Sequence, residues 1–384
     1  MKRQLFLSFC LFAGIGFSQT YIDITGVGKE KKSISVDVAG ASAQAFSRSL
    51  SKNLEFSNAF VVRKDGQIKV TGTPSNPSAS FAGKTISGEY VVSDDKSSRM
   101  AARDFANKIC ETFAEQKGFA LDRIAFISKK ADGLSELCVC YPDGLDIRQL
   151  TANNERVIGP RWKDGNTIFY TGIRNAGPQI WEYDTVAQKR TLCWSFKGLT
   201  TGAVISPDGV RVAIILSFQG NPELYVINLE TKKWERLTIT PNASEGCPAW
   251  SPDGKKIVYV SNEDRRPQLY IIDVATKKKR RITFKGSQNV EPDWGSDGRI
   301  VYITKRGGAQ VAVMDPAEGE SSVKLLTSQG FWEHPSWSRD NRNIVVGQDK
   351  ALFIVDSAVE DGKMSKPQRI FYANGNWINP SWVK

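Results

Sequence analysis

Histidine is nearly missing from this sequence: His334 is the single histidine among 384 residues. A Ser-His-Asp triad would have to use it, and the chain has no Gly-x-Ser-x-Gly nucleophile elbow. It also lacks a phosphate-binding loop and a dinucleotide-binding fingerprint. These absences argue against hydrolases and nucleotide-dependent enzymes, so we predict that the protein is not an enzyme.

Cysteine is scarce as well, and its spacing matches neither a zinc site nor a redox motif. One of the six cysteines, Cys10, lies in the N-terminal apolar stretch. The other five are predicted to be small buried apolar side chains, and they are Cys110, Cys138, Cys140, Cys193 and Cys247.

Long hydrophobic runs are missing beyond the N-terminus. Met1-Lys2-Arg3 is followed by an apolar stretch, Leu5–Phe17, that is too short to span a bilayer, and then by Ser18. A basic start, a short apolar stretch and small residues before the cut are typical of a secretory signal peptide. We therefore predict that residues 1–18 are a signal peptide that is removed on export.

The net charge is +11, but the basic residues are scattered along the chain. The one dense run, Lys277–Arg281, falls where an outer strand of a repeat is expected. This distribution favours a solvated basic surface that meets acidic protein partners, and it argues against nucleic-acid binding.

A tryptophan-containing motif recurs through the second part of the chain. Its fullest copy is Trp250-Ser-Pro-Asp-Gly254, where Pro and Gly favour a tight turn and the following Ile257–Val260 favours a strand. Steps of 43 to 45 residues separate the equivalent positions, which are Trp162, Ile205, Trp250, Trp294, Trp337 and Trp382. A repeat of this length with four short strands is the signature of a β-propeller blade.

Six copies of each strand type predict a six-bladed β-propeller over residues 121–384. The repeats begin on a second strand and end on a first strand, Asn379–Lys384. We therefore predict that the C-terminal strand completes the first blade and closes the ring. The tryptophans are interpreted as core residues between blades.

The residues before the propeller predict a small α/β domain, residues 33–118, preceded by a strand-like arm, residues 19–32. Ser42 is expected to cap the first helix, and Ser97–Lys117 is expected to be the second helix. Asp65-Gly66 predicts a hairpin between two short strands, and Thr73–Gly83 is interpreted as a loop.

Three glutamates, Glu245, Glu291 and Glu333, precede their tryptophans by three to five residues. Because the first strand of a blade is innermost, they are expected to cluster at the mouth of the central channel. Such carboxylates could hold Ca²⁺, could receive Lys or Arg from a partner, or could be unrelated solvated acids. No other cofactor is expected.

Segments preceding the tryptophans should share one face with the loops that join second to third strands. Those loops carry Arg174, Asn221, Arg265, Arg266 and Arg306, which predicts a basic rim around an acidic centre. Trp332 is expected to be the exposed anchor of this face.

Trp250–Gly254, Arg266–Tyr270 and Arg281–Asn289 together resemble the TolB family of the Tol-Pal cell-envelope system. The resemblance covers the chain after the signal peptide and implies a periplasmic, non-enzymatic, monomeric adaptor that supports outer-membrane integrity and cell division. It implies peripheral attachment to the membrane through partners and no nucleic acid. Two departures are a short segment between Val70 and Tyr90, and Ile205 in place of tryptophan.

The resemblance also implies two partner sites. A Pal-like peptidoglycan-associated lipoprotein would bind the mouth, at residues that are predicted to be Glu245, Gly246, Asn289, Val290, Glu291, Trp332, Glu333 and His334. A TolA-like inner-membrane protein would bind the arm by strand addition, through Tyr21, Ile22, Asp23, Ile24, Thr25, Gly26 and Val27. The alternative is a periplasmic propeller enzyme acting on a sugar or a peptide.

Overall fold

The computed structural model describes residues 31–175, 177–360, 362–371 and 375–383. The predicted signal peptide and the predicted TolA-type site therefore lie outside the described residues. Within these residues, no helix is long and apolar enough to cross a membrane.

A small α/β unit comes first in the described chain. Its elements are β1 (Lys32–Val38), α1 (Ala43–Phe56), β2 (Phe60–Val62), β3 (Ile68–Gly72), β4 (Pro77–Phe81), β5 (Lys84–Ser87) and α2 (Asp95–Ile109), followed by a π-helical turn (Cys110–Ala114). The sheet order is β2-β1-β3-β4-β5, and β1 is parallel to both of its neighbours. Phe46, Leu50 and Phe105 from the helices share one buried core with Ile34 of β1, as the apolar stripes predict.

The predicted hairpin at Asp65-Gly66 is wrong. β2 and β3 do not pair with each other, because β1 lies between them. The connection passes so close to β1 that a Cβ on Gly66 would lie 2.2 Å from the backbone carbon of Ile34. Gly66 therefore allows the connection to pass close to β1. The Asp-Gly pair alone, which is also typical of hairpin turns, does not reveal this close approach.

The predicted loop over Thr73–Gly83 contains the strand β4. Lys69 of β3 pairs with Ser80, and Pro77 and Ala79 face the core. Four of its five residues are Pro, Ser or Ala, so apolar and polar side chains do not alternate clearly enough in the sequence to predict a strand.

The helix boundaries also differ from the prediction. Ser42 precedes α1 but makes no capping hydrogen bond through its side chain. Asp94 caps α2, in a reciprocal arrangement with Ser97. The helical segment ends at Glu115, which adopts a left-handed φ of 55°, and not at Gly118.

The rest of the chain forms six four-stranded antiparallel sheets. The strands are β6 (Ile124–Lys129), β7 (Ser135–Cys140), β8 (Arg148–Gln149), β9 (Arg156–Trp162), β10 (Thr167–Arg174), β11 (Gly177–Asp184), β12 (Lys189–Trp194), β13 (Thr200–Ile205), β14 (Arg211–Leu216), β15 (Glu223–Asn228), β16 (Trp234–Arg236), β17 (Glu245–Trp250), β18 (Lys256–Ser261), β19 (Gln268–Asp273), β20 (Lys279–Arg281), β21 (Gln288–Trp294), β22 (Ile300–Lys305), β23 (Ala309–Met314), β24 (Lys324–Leu325), β25 (Trp332–Trp337), β26 (Asn343–Gln348), β27 (Ala351–Asp356), β28 (Gln368–Arg369) and β29 (Trp377–Trp382). Blade 1 is β29-β6-β7-β8, and blades 2 to 6 each use four consecutive strands from β9 onwards. The chain is thus a six-bladed β-propeller with a small N-terminal α/β region, as predicted.

The C-terminal strand closes the ring. β29 pairs with β6, with Trp377 opposite Ser128 and Trp382 opposite Ile124. β29 thus pairs with the side of β6 that would otherwise be a free edge, and it joins the C-terminal segment to the first blade.

The repeated tryptophans lie between blades and are buried. The Nε1 of Trp162 donates to the Ser381 carbonyl, and that of Trp250 donates to the Val204 carbonyl, each at 3.0 Å. The guanidinium of Arg211 lies 5.0 Å from the Trp250 ring centre, a cation–π contact from the preceding blade. These indoles therefore hold neighbouring blades together.

All five cysteines in the described part of the chain are free thiols. Cys110, Cys138 and Cys140 are buried, as predicted, and burial raises the pKa of Cys110 to about 12. Cys193 and Cys247 are only half-buried, so the prediction of burial does not extend to them.

The small domain is joined to blade 1 at a seam formed by Ser49, Asn53, Arg103 and Asp143. The carboxylate of Asp143, in the turn after β7, accepts hydrogen bonds from Arg103 Nε and Nη2, each at 3.0 Å, and from the Ser49 hydroxyl at 2.6 Å. Asn53 donates to the same carboxylate at 3.3 Å. Both charged side chains are fully buried, so the seam is a closed ion-paired contact.

Candidate functional site at the propeller mouth

One end of the propeller carries the predicted site, and we call this end the mouth. In blade 4, Glu245 at the start of β17 lies opposite Ser261, which in turn lies opposite Gln268. The innermost strand therefore begins at the end where second strands turn into third strands. Asp143 lies in a turn between a third and a fourth strand, so the seam is at the opposite end.

Every innermost strand is interrupted by a bulge near the mouth. Each bulge has one residue with a left-handed φ between 49° and 69°, and together these residues form what we call the bulge ring: Gly159, Gly202, Cys247, Glu291, His334 and Asn379. A bulge breaks the regular ladder and re-aims side chains, which is why bulges are common next to functional sites.

Four members of the bulge ring are not glycine. A left-handed conformation costs such residues about 1–2 kcal/mol each. Five of the six ring positions are followed by proline, which has no N–H to donate to the ladder. The strain is thus repeated at four positions of the ring, and at two of them, Glu291 and His334, the side chain is polar and partly exposed.

Glu291 and His334 are paired across blades 5 and 6. The Glu291 Oε2 accepts the backbone N–H of His334 at 2.6 Å, and its Oε1 lies 3.2 Å from His334 Nε2. Both side chains are partly exposed. The single histidine of the chain and a predicted partner-binding carboxylate therefore form one unit in the ring.

Glu245, at the start of β17, is buried, unlike the partly exposed Glu291 and His334. Its Oε1 accepts the hydroxyls of Thr240 at 2.7 Å and Ser261 at 3.2 Å. Burial raises the pKa of Glu245 to about 7, while these hydrogen bonds act in the opposite direction. Near neutral pH, a change in its burial or in these hydrogen bonds would therefore change its protonation.

Not every predicted contact residue is accessible. Asn289 is buried, and its amide donates to Gln268 Oε1 at 2.7 Å and to the Lys285 carbonyl at 2.8 Å. Gly246, Val290 and Glu333 are half-buried. Burial also raises the pKa of Glu333.

The expectation that Trp332 is an exposed anchor is wrong. Trp332 is only 5% exposed, its Nε1 donates to the Ser328 carbonyl at 2.9 Å, and it packs edge-on against Phe353. Its position at the start of β25 turns the indole into the blade. The side chain of the preceding residue, Phe331, is exposed instead, at 78%.

Phe331 belongs to an apolar collar that the sequence analysis missed. The collar consists of Ile239, Phe284 and Phe331, which are 74%, 62% and 78% exposed and lie in successive connections that lead into β17, β21 and β25. Ile239 and Phe284 both follow an aliphatic-Thr pair, a repeat signal that could have revealed them. Large apolar side chains exposed beside a charged centre are typical of interaction surfaces.

The predicted basic rim is present in part. Arg265 and Arg266 are exposed in the connection between β18 and β19. Arg174 ion-pairs with Glu155 at 3.0 Å, and Arg306 and Asn221 are half-buried. Of the five predicted rim residues, Arg265 and Arg266 are therefore the two that are exposed and have no ion pair with a described residue.

Calcium binding by Glu245, Glu291 and Glu333 stays a prediction. Across residues 31–175, 177–360, 362–371 and 375–383, no group of three or more His, Cys, Asp or Glu side chains is placed to hold a metal ion. Glu245 and Glu291 are bound to protein hydrogen-bond donors instead.

Residues 110–384 match the family described as the TolB beta propeller domain. The Tol-Pal system protein TolB of Gluconobacter oxydans is 31% identical over 257 residues, covering 65% of this chain and 56% of the relative. The Tol-Pal system protein TolB of Desulfosudis oleivorans is 30% identical over 159 residues, which is 41% of this chain and 36% of the relative. The matches thus span about one third to just over half of these relatives.

A solved structure shares the whole architecture. The crystal structure of TolB from Acinetobacter baumannii superposes with a TM-score of 0.78 and covers 92% of this chain and 97% of its own. At 21% identity, this likeness shows the fold.

Proposed function

This chain belongs to the TolB β-propeller family, and on that premise we propose that it is a periplasmic adaptor of the Tol-Pal envelope system. In this proposal the mouth binds a Pal-like lipoprotein, and the arm before residue 33 binds a TolA-like inner-membrane protein. The adaptor would thereby support outer-membrane integrity and cell division.

The observation that carries the proposal is the arrangement at the mouth. The Glu291–His334 pair provides a polar centre, and Ile239, Phe284 and Phe331 present exposed apolar side chains in three successive connections at the same end of the propeller. Protein interfaces combine desolvated apolar anchors with a few oriented polar groups in this way. The adjoining Arg265 and Arg266 suit a partner with an acidic surround.

An enzyme acting on a sugar or a peptide is the competing function. The relatives are named as TolB, which is a non-enzymatic Tol-Pal component, so the family favours the adaptor. No observation at the mouth specifically favours catalysis.

The apolar collar offers a matched test of the mouth. Ile239→Ser should weaken calorimetrically measured binding of the organism's Pal-like protein by about 1–2 kcal/mol, because it removes an exposed aliphatic anchor. Val186→Ser is the control, since Val186 is 71% exposed but lies in the turn between β11 and β12 at the opposite end. Equal effects of the two changes would contradict binding at the mouth.

The arm is tested separately. Removal of residues 19–30, which leaves β1 intact, should abolish binding of the TolA-like protein and leave Pal binding and the melting temperature nearly unchanged, because strand addition uses the arm's own backbone. Retained TolA binding would disprove the role of the arm without affecting that of the mouth.

A further inference from the structure

The central channel contains a second site-like feature on the far side of the bulge ring. A cavity of about 340 Å³ is lined by the residues two positions after each ring residue. We call this set the lower ring, and it consists of Arg161, Val204, Ala249, Asp293, Ser336 and Ser381. This volume is at the lower end of the range for sites that bind small organic molecules.

The lower ring is chemically uneven. Val204 and Ala249 of blades 3 and 4 form an apolar side, and Ser336 and Ser381 of blades 6 and 1 form a hydroxyl-bearing side. Arg161 of blade 2 lies between the two sides, and Asp293 of blade 5 lies across the ring. The Asp293 Oδ2 accepts the Trp337 backbone N–H at 2.8 Å.

Arg161 is the cation of this ring and has few contacts. Its Nη1 donates to the neighbouring Pro160 carbonyl at 3.2 Å, and it forms no ion pair with any residue that the structure describes. A guanidinium has five N–H donors in a planar fork that matches a carboxylate. Most of these donors therefore remain available to a ligand in the cavity.

We propose that the lower ring binds a small organic monocarboxylate. Its carboxylate would pair with Arg161 by charge-assisted hydrogen bonds, and its apolar part would lie against Val204, Ala249 and the edge of Trp250. The apolar wall disfavours inorganic anions, and the negative charge of Asp293 disfavours a second anionic group. This site is separate from the mouth and goes beyond the adaptor function.

The test compares a carboxylic acid with its neutral amide. N-Acetyl-leucine should bind the purified chain saturably in calorimetry, and N-acetyl-leucinamide should bind at least about tenfold more weakly. Arg161→Met should reduce binding of the acid to the level of the amide. Arg266→Met, which removes an exposed arginine at the mouth, should change it little.

Three outcomes would overturn the proposal. They are equal affinity for acid and amide, no saturable binding of the acid at millimolar concentration, and unchanged binding by a folded Arg161→Met variant. The comparison of acid and amide uses the unmodified chain, so it decides the matter even if the variant does not fold. Pal binding is not involved, so failure here is distinct from failure of the adaptor function.

Discussion

The seam and the mouth both place a carboxylate beside a basic group, yet they differ in what surrounds it. At the seam, Asp143 is fully buried and receives donors from Arg103, Ser49 and Asn53. At the mouth, Glu291 is partly exposed, and its described donors come from His334 alone. The carboxylate of Asp143 accepts hydrogen bonds from several side chains of its own chain, whereas the carboxylate of Glu291 can still accept hydrogen bonds from a partner protein.

In this fold, stability and binding therefore depend on different carboxylates. A buried ion pair contributes chiefly by being costly to break, because removal of one member leaves the other charge buried. A partly exposed pair in strained backbone contributes little to stability and is free to change partners. We therefore expect changes at the seam to affect unfolding and changes at the mouth to affect association.

The largest effect is expected from Asp143→Ala. It should lower the free energy of unfolding by about 3 kcal/mol, because Arg103 stays buried and keeps Asp146, 2.8 Å from its Nη2, as its one described ion-pair partner. Denaturant unfolding measures this loss, and Pal binding should change less than about twofold.

The control for this change is Glu235→Ala. Glu235 forms an exposed pair with Lys277 at 2.6 Å, and such pairs contribute about 0.2–1 kcal/mol. If both variants lost the same stability, the seam would not be a closed, buried contact.

A smaller, pH-dependent effect is expected at Glu245. Its folded-state pKa of about 7 lies above its ordinary value, so the folded protein binds a proton more tightly than the unfolded chain does. Stability should therefore be highest below about pH 4.5 for this group and should decrease as the pH rises to about 7. Glu245→Gln removes this titration.

Melting temperatures between pH 4.5 and 8 test this expectation. The difference between Glu245→Gln and the unmodified protein should grow in favour of the variant up to about pH 7 and then level off. A difference that is independent of pH would show that Glu245 is not shifted.

The propeller could be predicted closely because its signals are local and repeated six times. Strand β18 (Lys256–Ser261) contains the predicted strand residues Ile257–Val260, since the turn at Ser251–Gly254 fixes where the strand starts. Gly66 shows where this approach fails. Its role depends on the backbone of β1, some thirty residues away in the sequence.

The site could be predicted only in outline. Repeat alignment brought Glu245, Glu291 and His334 to one end of the propeller, because equivalent positions occupy equivalent places in each blade. It could not show that β25 turns Trp332 inward while Phe331 remains exposed, since alternation about a bulge is set by the three-dimensional register. The seam was missed for a similar reason, because Asp143 and Arg103 belong to different domains.

A calorimetric comparison of Glu291→Lys with Lys278→Glu decides whether the mouth binds the Pal-like protein. Charge reversal at the mouth should weaken binding of the Pal-like protein by more than about 1.4 kcal/mol, about tenfold, with little change in melting temperature. Lys278 is exposed in the turn between β19 and β20 at the opposite end, so its reversal should leave the affinity nearly unchanged. If Lys278→Glu were the damaging change and Glu291→Lys were silent, the binding site would have to lie away from the mouth.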